Sequence, residues 1–379
     1  MNYSVENTQI SKSLNKAKIS DSLSHYIYEI KERIHLYNGE WDIFKRYTNP
    51  YEYIHTNVPN KKKSVSKYKP LSRSYFKMVE LTNFFKLIDG HGTSPISSFH
   101  LAEGPGGFIE ALVHMRQNRQ DKYIGMTILD KNNDPNIPGW KKSEGFLKEN
   151  KNVFIEKGIT GTGDILSVEN FQYCYDTYRS SMDIITGDGG FDFSADFNNQ
   201  ENNIIRLLFA QVAYAIIMQK KGGSFILKLF DCFMQPTLDI LALVSSFYEK
   251  VYITKPQTSR YANSEKYLVC HNFLFEKTEQ FMPAFMNTFQ NMNLNLNDDA
   301  QVRFLNIDLS NNFTTRLEEY NAIFGQQQIE NIYYTIYLID NKGKQDKIDT
   351  LIKNNTNKCV NWCIKNNIPH NMLCESSRF

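Results

Sequence analysis

The chain has 379 residues, 41% of them hydrophobic and 22% charged, which excludes a collagen-like, mucin-like or wholly disordered protein. The formal net charge is only +2, so no overall positive field marks a nucleic-acid binder, and any such surface must be local. Six dispersed cysteines, a polar opening stretch (MNYSVENTQISKSLN) and apolar runs broken by charge argue against a secreted disulfide scaffold and against membrane spans, and predict an intracellular protein.

Residues 1–70 read as a polar N-terminal extension. Within SLSHYIYEIKERIHLY, the apolar Leu23, Ile27, Ile30 and Ile34 recur every three or four positions and predict an amphipathic helix. The run KKKSVSKYK follows with Lys61, Lys62, Lys63, Lys67 and Lys69; taken alone it is a solvated basic loop. Over residues 71–275 short β-branched runs alternate with helical patterns. ISSFHLAEG, YIGMTI, VFIEKG, MDIITGDG, SFILKLF, KVYITKP and KYLVCHNF read as strands. FIEALVHMRQ, NNIIRLLFAQVAYAIIMQKKGG and PTLDILALVSSFYE read as helices, the second stopped by Gly222-Gly223. This predicts an α/β fold with a seven-stranded, mostly parallel, doubly wound sheet. Only a short TSRYANSE connection separates the last two strands, which are therefore expected to pair antiparallel. Residues 276–379 read as a mainly helical C-terminal extension with one strand-like segment, NIYYTIYLID.

The chemistry concentrates at predicted strand ends. HLAEGPGGFIEAL runs from strand through Glu103, Gly104, Pro105, Gly106 and Gly107 into a helix, a turn whose backbone can approach a ligand closely. A nicotinamide fingerprint would want a small residue where this chain has Ile109. Asp188 follows the fourth strand in ITGDGGFDF, Lys228 lies inside FILKLF, and Glu265 lies in SRYANSEKYLVC. A lysine within a run that should be buried is costly unless it is paired. Its ordinary alternative is an edge strand that turns Lys228 to solvent. Lys77 of SRSYFKMVEL, on periodicity alone, is a surface helix lysine.

Lys77, Asp188, Lys228 and Glu265, arranged around an EGPGGF loop, resemble the catalytic tetrad of the FtsJ-like ribose 2′-O-methyltransferases. The chain is most similar to the cap-specific mRNA 2′-O-methyltransferases of the cap-1 type. TNPYE, SRSYFK, AEGPGGF, GMT, GTGDI, GDGGF, GGSFILKLFD and KPQTSRYANSEKYLVC carry the resemblance, over about residues 45–275. It implies a Rossmann-like methyltransferase fold and S-adenosylmethionine as cofactor. It also implies Lys228 as general base, made neutral by desolvation and by the neighbouring Lys77 cation, with Asp188 aligning its amine and Glu265 orienting Lys77 or the ribose. The cofactor would lie across Ser72, Glu103, Gly104, Pro105, Gly106, Gly107 and Phe108, with Gly163, Asp164 and Asp188 beside it. Ser72 stands where relatives often have Asn.

For the substrate, capped mRNA, the resemblance points to Lys31, Lys45, Arg46, Asn202 and Asn263, with Tyr47 or Tyr51 as an aromatic for stacking. Association with other capping or transcription components is also implied. A ribosomal or transfer RNA 2′-O-methyltransferase would share the tetrad, and an RNA-binding subunit could keep the fold without catalysis, although all four tetrad members are present. Cys359, Cys363, His370 and Cys374 crowd the C-terminus without zinc-knuckle spacing, and Cys359 and Cys363 flank Trp362 as a buried helix face would, so no metal is expected.

Overall fold

The computed structural model describes residues 10–11, 17–37, 39–129, 139–190, 200–294, 301–305 and 308–371. Seven strands form one sheet: β1 (Ser97–Leu101), β2 (Lys122–Met126), β3 (Val153–Glu156), β4 (Met182–Gly187), β5 (Gln219–Leu229), β6 (Tyr248–Thr254) and β7 (Lys266–Phe273). Their order is β3-β2-β1-β4-β5-β7-β6. Ladders from β3 across to β5 are parallel, and β7 runs antiparallel to both β5 and β6. The chain winds outward from β1 to β3, then returns to place β4 on the other side of β1. The strand order reverses there, which opens a crevice at the carboxyl ends of β1 and β4.

Side-chain alternation along the strands feeds two cores. Phe225, Leu227 and Leu229 of β5 join one core with α6 (Val168–Tyr178), α7 (Gln200–Met218), α8 (Gln235–Ser245) and α9 (Met282–Leu294). Ile226 of β5 and Tyr267 and Val269 of β7 face the other, with α3 (Ser74–Phe85), α4 (Gly107–Arg116), α5 (Glu144–Glu149) and α11 (Gln345–Lys365). α7 is apolar nearly all round because the sheet and its neighbouring helices surround it. α10 (Asn311–Asp340) packs on α1 (Asp21–Glu32) and α2 (Trp41–Thr48). α1 buries Ile27 and Ile30, and Ile34 is buried in the 3₁₀ turn that continues it, as the spacing predicts. No described helix is long and apolar enough to cross a membrane.

Two expectations are corrected. NIYYTIYLID is the last part of α10, not a strand. Its β-branched and aromatic content suggests a strand, but Ile329, Ile332, Ile336 and Ile339 are buried at intervals of three and four, the period of a helix docked on one face. Gly222-Gly223 does not stop α7, which ends at Met218 and passes directly into β5. Gln219 pairs with Met182 and Ser224 with Ile184, so the residues between them bulge from the ladder, with Gly222 at φ +82°. Cys359 and Cys363 are buried on the face of α11 that packs on α2 and the 3₁₀ turn Glu52–Ile54, beside Trp362. Cys374 lies outside the described residues.

Candidate active site

β1 delivers the chain into the glycine turn at the crevice. The Glu103 side chain is buried; its Oε1 accepts a hydrogen bond from the Phe108 main-chain N–H at 2.7 Å, and its Oε2 has no partner among the described residues. Burial, reinforced by the Asp188 charge, pushes the Glu103 carboxyl well above the usual range. Phe108 itself is core, its ring 6.0 Å from that of Tyr267. A Cβ on Gly107 would lie 2.2 Å from the Ser74 hydroxyl and 2.3 Å from that of Ser72. The start of α3 packs directly on the turn there and leaves no room for a side chain. Gly163 (φ +66°) sits against the Thr127 carbonyl, and the next residue, Asp164, accepts from the Leu166 N–H at 2.8 Å. GTGDI is thereby held against the carboxyl end of β2.

The structure brings Lys77, Asp188, Lys228 and Glu265 together. Lys228 is the penultimate residue of β5 and has the parity of Ile226, so it points to the α3 face directly opposite Tyr267 of β7. It does not turn to solvent. Its Nζ donates to the Asp188 main-chain oxygen at 2.6 Å and lies 3.3 Å from Asp188 Oδ1, with both side chains nearly buried. Gly190 gives this amine room, since a Cβ there would stand 3.1 Å from Nζ. Lys77, from the first turn of α3, donates to Glu265 Oε2 at 2.8 Å, and Ser259 Oγ donates to Glu265 Oε1 at 2.7 Å. Burial alone would raise the Glu265 carboxyl, but Lys77 and then Lys228 hold it below the usual range. Tyr267 links the pairs: its hydroxyl donates to Asp188 Oδ1 at 2.9 Å, and Lys77 Nζ lies 5.8 Å from its ring centre.

Beside the tetrad lies a cleft of about 190 Å³ lined by Lys31, Ile34, Trp41, Lys45, Asn49, Gln200, Arg260, Ala262, Asn263, Ser264, Gln328 and Asn331. Lys31, Lys45 and Asn263 are thus gathered in one place. Arg46 is exposed and Asn202 half-buried, and neither lines the cleft. Tyr47 and Tyr51 pack into apolar clusters, and Trp41 is the aromatic in the cleft wall. Lys31 is less available than its sequence position suggests, because its Nζ donates to buried Asp231 at 2.7 Å.

The sequence pattern of the FtsJ-like methyltransferase family matches residues 70–273. The chain belongs to this family. Over 217 residues it is 31% identical to cap-specific mRNA (nucleoside-2′-O-)-methyltransferase 1 of Trypanosoma brucei brucei, covering 56% of this chain and 57% of that one. The enzyme of the same name from Trypanosoma cruzi is 37% identical over 179 residues, covering 45% and 46%. Cap-specific mRNA (nucleoside-2′-O-)-methyltransferase 2 of Drosophila melanogaster is 26% identical over 284 residues, covering 72% and 39%. The chain spans about half the length of the curated relatives it matches. Among solved structures, a ribosomal RNA methyltransferase from Plasmodium falciparum is similar at a TM-score of 0.38 and 22% identity, over 54% of this chain and 98% of that one.

The connection from β6 to β7 is anchored by hydrogen bonds to α3, to Gln200 and to Glu52. Lys255 Nζ donates to the Asn263 main-chain and side-chain oxygens and to the Glu265 main-chain oxygen, at 2.7–2.8 Å. The Thr258 N–H and hydroxyl donate to Glu80 of α3, and Ser264 Oγ lies 2.9 Å from Gln200 Oε1. Arg260 reaches back to Glu52 of NPYE, donating from Nε at 3.0 Å and from Nη2 at 2.7 Å. The motifs that contain Glu52, Lys255, Arg260 and Tyr267 are visible in the sequence, but the roles of these four residues are not. For Glu52, Lys255 and Arg260 the signal is a charged residue in a turn-like segment, and Tyr267 carries no such mark.

Proposed function

We propose that this protein transfers a methyl group from S-adenosylmethionine to a ribose 2′-hydroxyl near the 5′ cap of mRNA. The reading rests above all on the convergence of Lys77, Asp188, Lys228 and Glu265 from four separate stretches of chain, at the reversal of strand order and beside a cleft rich in cations and amides. Membership of the methyltransferase family and the names of the curated relatives support it.

The glycine turn fits the cofactor: Glu103 Oε2 is a buried carboxyl oxygen with no partner among the described residues, and the adjoining turn presents main chain in place of side chains. Glu103, Gly104–Gly107 and the main chain of Phe108 would hold it, flanked by Ser72, Gly163, Asp164 and Asp188. The bound cofactor supplies an activated methyl group, which leaves the protein two tasks, alignment and removal of one proton. A ribose hydroxyl is a weak nucleophile until deprotonated, and we assign that proton to the Lys228 amine. Asp188 fixes where this amine points through its main-chain and carboxylate oxygens. Glu265 balances the Lys77 charge and keeps that side chain in place. Trp41, Lys45 and Asn263 form the wall against which the capped end would rest.

Labelled methyl transfer into capped RNA tests the assignment. Lys228→Ala is expected to lose about 10²-fold or more in turnover, with cofactor affinity by calorimetry unchanged. A variant that keeps wild-type turnover removes Lys228 from the chemistry.

A further inference from the structure

We propose that Arg260, fixed by the buried Glu52 carboxylate, is an anion-binding group that receives a phosphate of the RNA in the cleft. This deepens the function proposed above and rests on it.

Charge and geometry point the same way. The Glu52 side chain has no solvent exposure and is shared by two guanidinium groups, Arg260 through a two-point contact and Arg73 through Nη1 at 3.5 Å. Arginine does not lose its proton in proteins, so one carboxylate faces two permanent cations and the cluster keeps one positive charge in excess. Arg73 is spent as a brace, with Nη2 donating to the Thr258 carbonyl at 3.2 Å. Arg260 is the member that lines the cleft, with a third of its side chain exposed. Glu52 engages its Nε and Nη2, and among the described residues nothing engages Nη1, which is the position for a ligand. A guanidinium fork held rigidly on one edge is pre-organised for phosphate oxygens on the other. The other two cations of the cleft are less suited: Lys31 is neutralised by buried Asp231, and Lys45 is a flexible point charge paired with exposed Asp42. Asn263 and Ser264, which share the cleft wall with Arg260, lead directly into Glu265. A phosphate at Arg260 therefore rests on the cleft wall that leads into the tetrad.

The test measures dissociation constants across a salt series for a GpppA cap dinucleotide and for a short RNA with a 5′-hydroxyl end, using the wild type, Arg260→Met, Arg260→Lys and Glu52→Gln. Arg260→Met should weaken binding about tenfold and lower the slope of log affinity against log salt by about one, with cofactor affinity unchanged. Arg260→Lys should keep the slope and lose part of the affinity, because the charge stays while the fork is lost. Loss of affinity on the cap dinucleotide places the phosphate in the 5′–5′ bridge, and loss confined to the 5′-hydroxyl RNA places it in the chain; either supports the proposal. Should Glu52→Gln fail to fold, the Arg260 variants carry the test. A wild type that binds both probes while Arg260→Met matches it in affinity and slope overturns the role of Arg260 alone, whereas a wild type that binds neither probe overturns the function on which it rests.

Discussion

Glu52 shows how one buried charge can bear on stability. Burial alone would raise its carboxyl, but Arg260, Arg73 and the Asn49 amide together hold it down at about 2, from an ordinary 4.5. A carboxylate depressed in the folded state stabilises it above its unfolded pKa, and that contribution is lost as the pH falls from 4.5 towards 2. The difference corresponds to about 3 kcal/mol at neutral pH. Glu52→Gln should therefore lower unfolding stability by about this amount at pH 7, and the gap to wild type should narrow steadily below pH 4.5. Denaturant titrations at a series of pH values check this, and a gap independent of pH would contradict it. The tetrad was legible in the sequence through its resemblance to a known family. The Glu52–Arg260 pair was not, because its partners stand 208 positions apart and nothing local to either shows the contact. Gln200 and Trp41 escaped notice for the same reason: only folding brings them to the cleft wall beside Asn263.

Among the helices, α11 connects the C-terminal stretch to the site. Trp362 is buried against Phe76 with ring centres 5.9 Å apart, and its indole N–H donates to Glu80 at 3.2 Å. Glu80 also accepts from the Gln257 and Thr258 main chain, so α3, α11 and the β6–β7 connection meet at one carboxylate. Trp362→Ala should cost about 3–5 kcal/mol, the range for deleting a buried aromatic. Trp362→Phe should cost about 1 kcal/mol, since it keeps most of the packing and loses a single hydrogen bond. Thermal or urea unfolding of both variants separates packing from the polar contact, and equal losses would contradict the division. All seven strands were legible because their apolar runs are short, β-branched and bounded by turns. The insertion of β7 between β5 and β6 was not, because hairpin spacing shows that two strands pair but not which second neighbour one of them takes. NIYYTIYLID was misread because composition outweighed period, although the burial of Ile332, Ile336 and Ile339 restores the helical count.

The assembled fold places the glycine turn, the tetrad and the cation-lined cleft at one end of one sheet. The N-terminal helices and α10 form the outer wall of that cleft through Lys31, Lys45, Gln328 and Asn331. A net charge of +2 is compatible with RNA binding on this arrangement, because the excess positive charge at Arg260 and Arg73 is local. Mapping of methyl transfer from labelled S-adenosylmethionine, on otherwise identical transcripts bearing a 5′ cap or a 5′-triphosphate, tests the proposed function most directly. The proposal predicts label on the ribose 2′-oxygen of a nucleotide next to the cap, with the triphosphate transcript a poor substrate. Equal labelling of the two transcripts, or label at internal positions, would contradict cap recognition and leave a ribose methyltransferase of another RNA class.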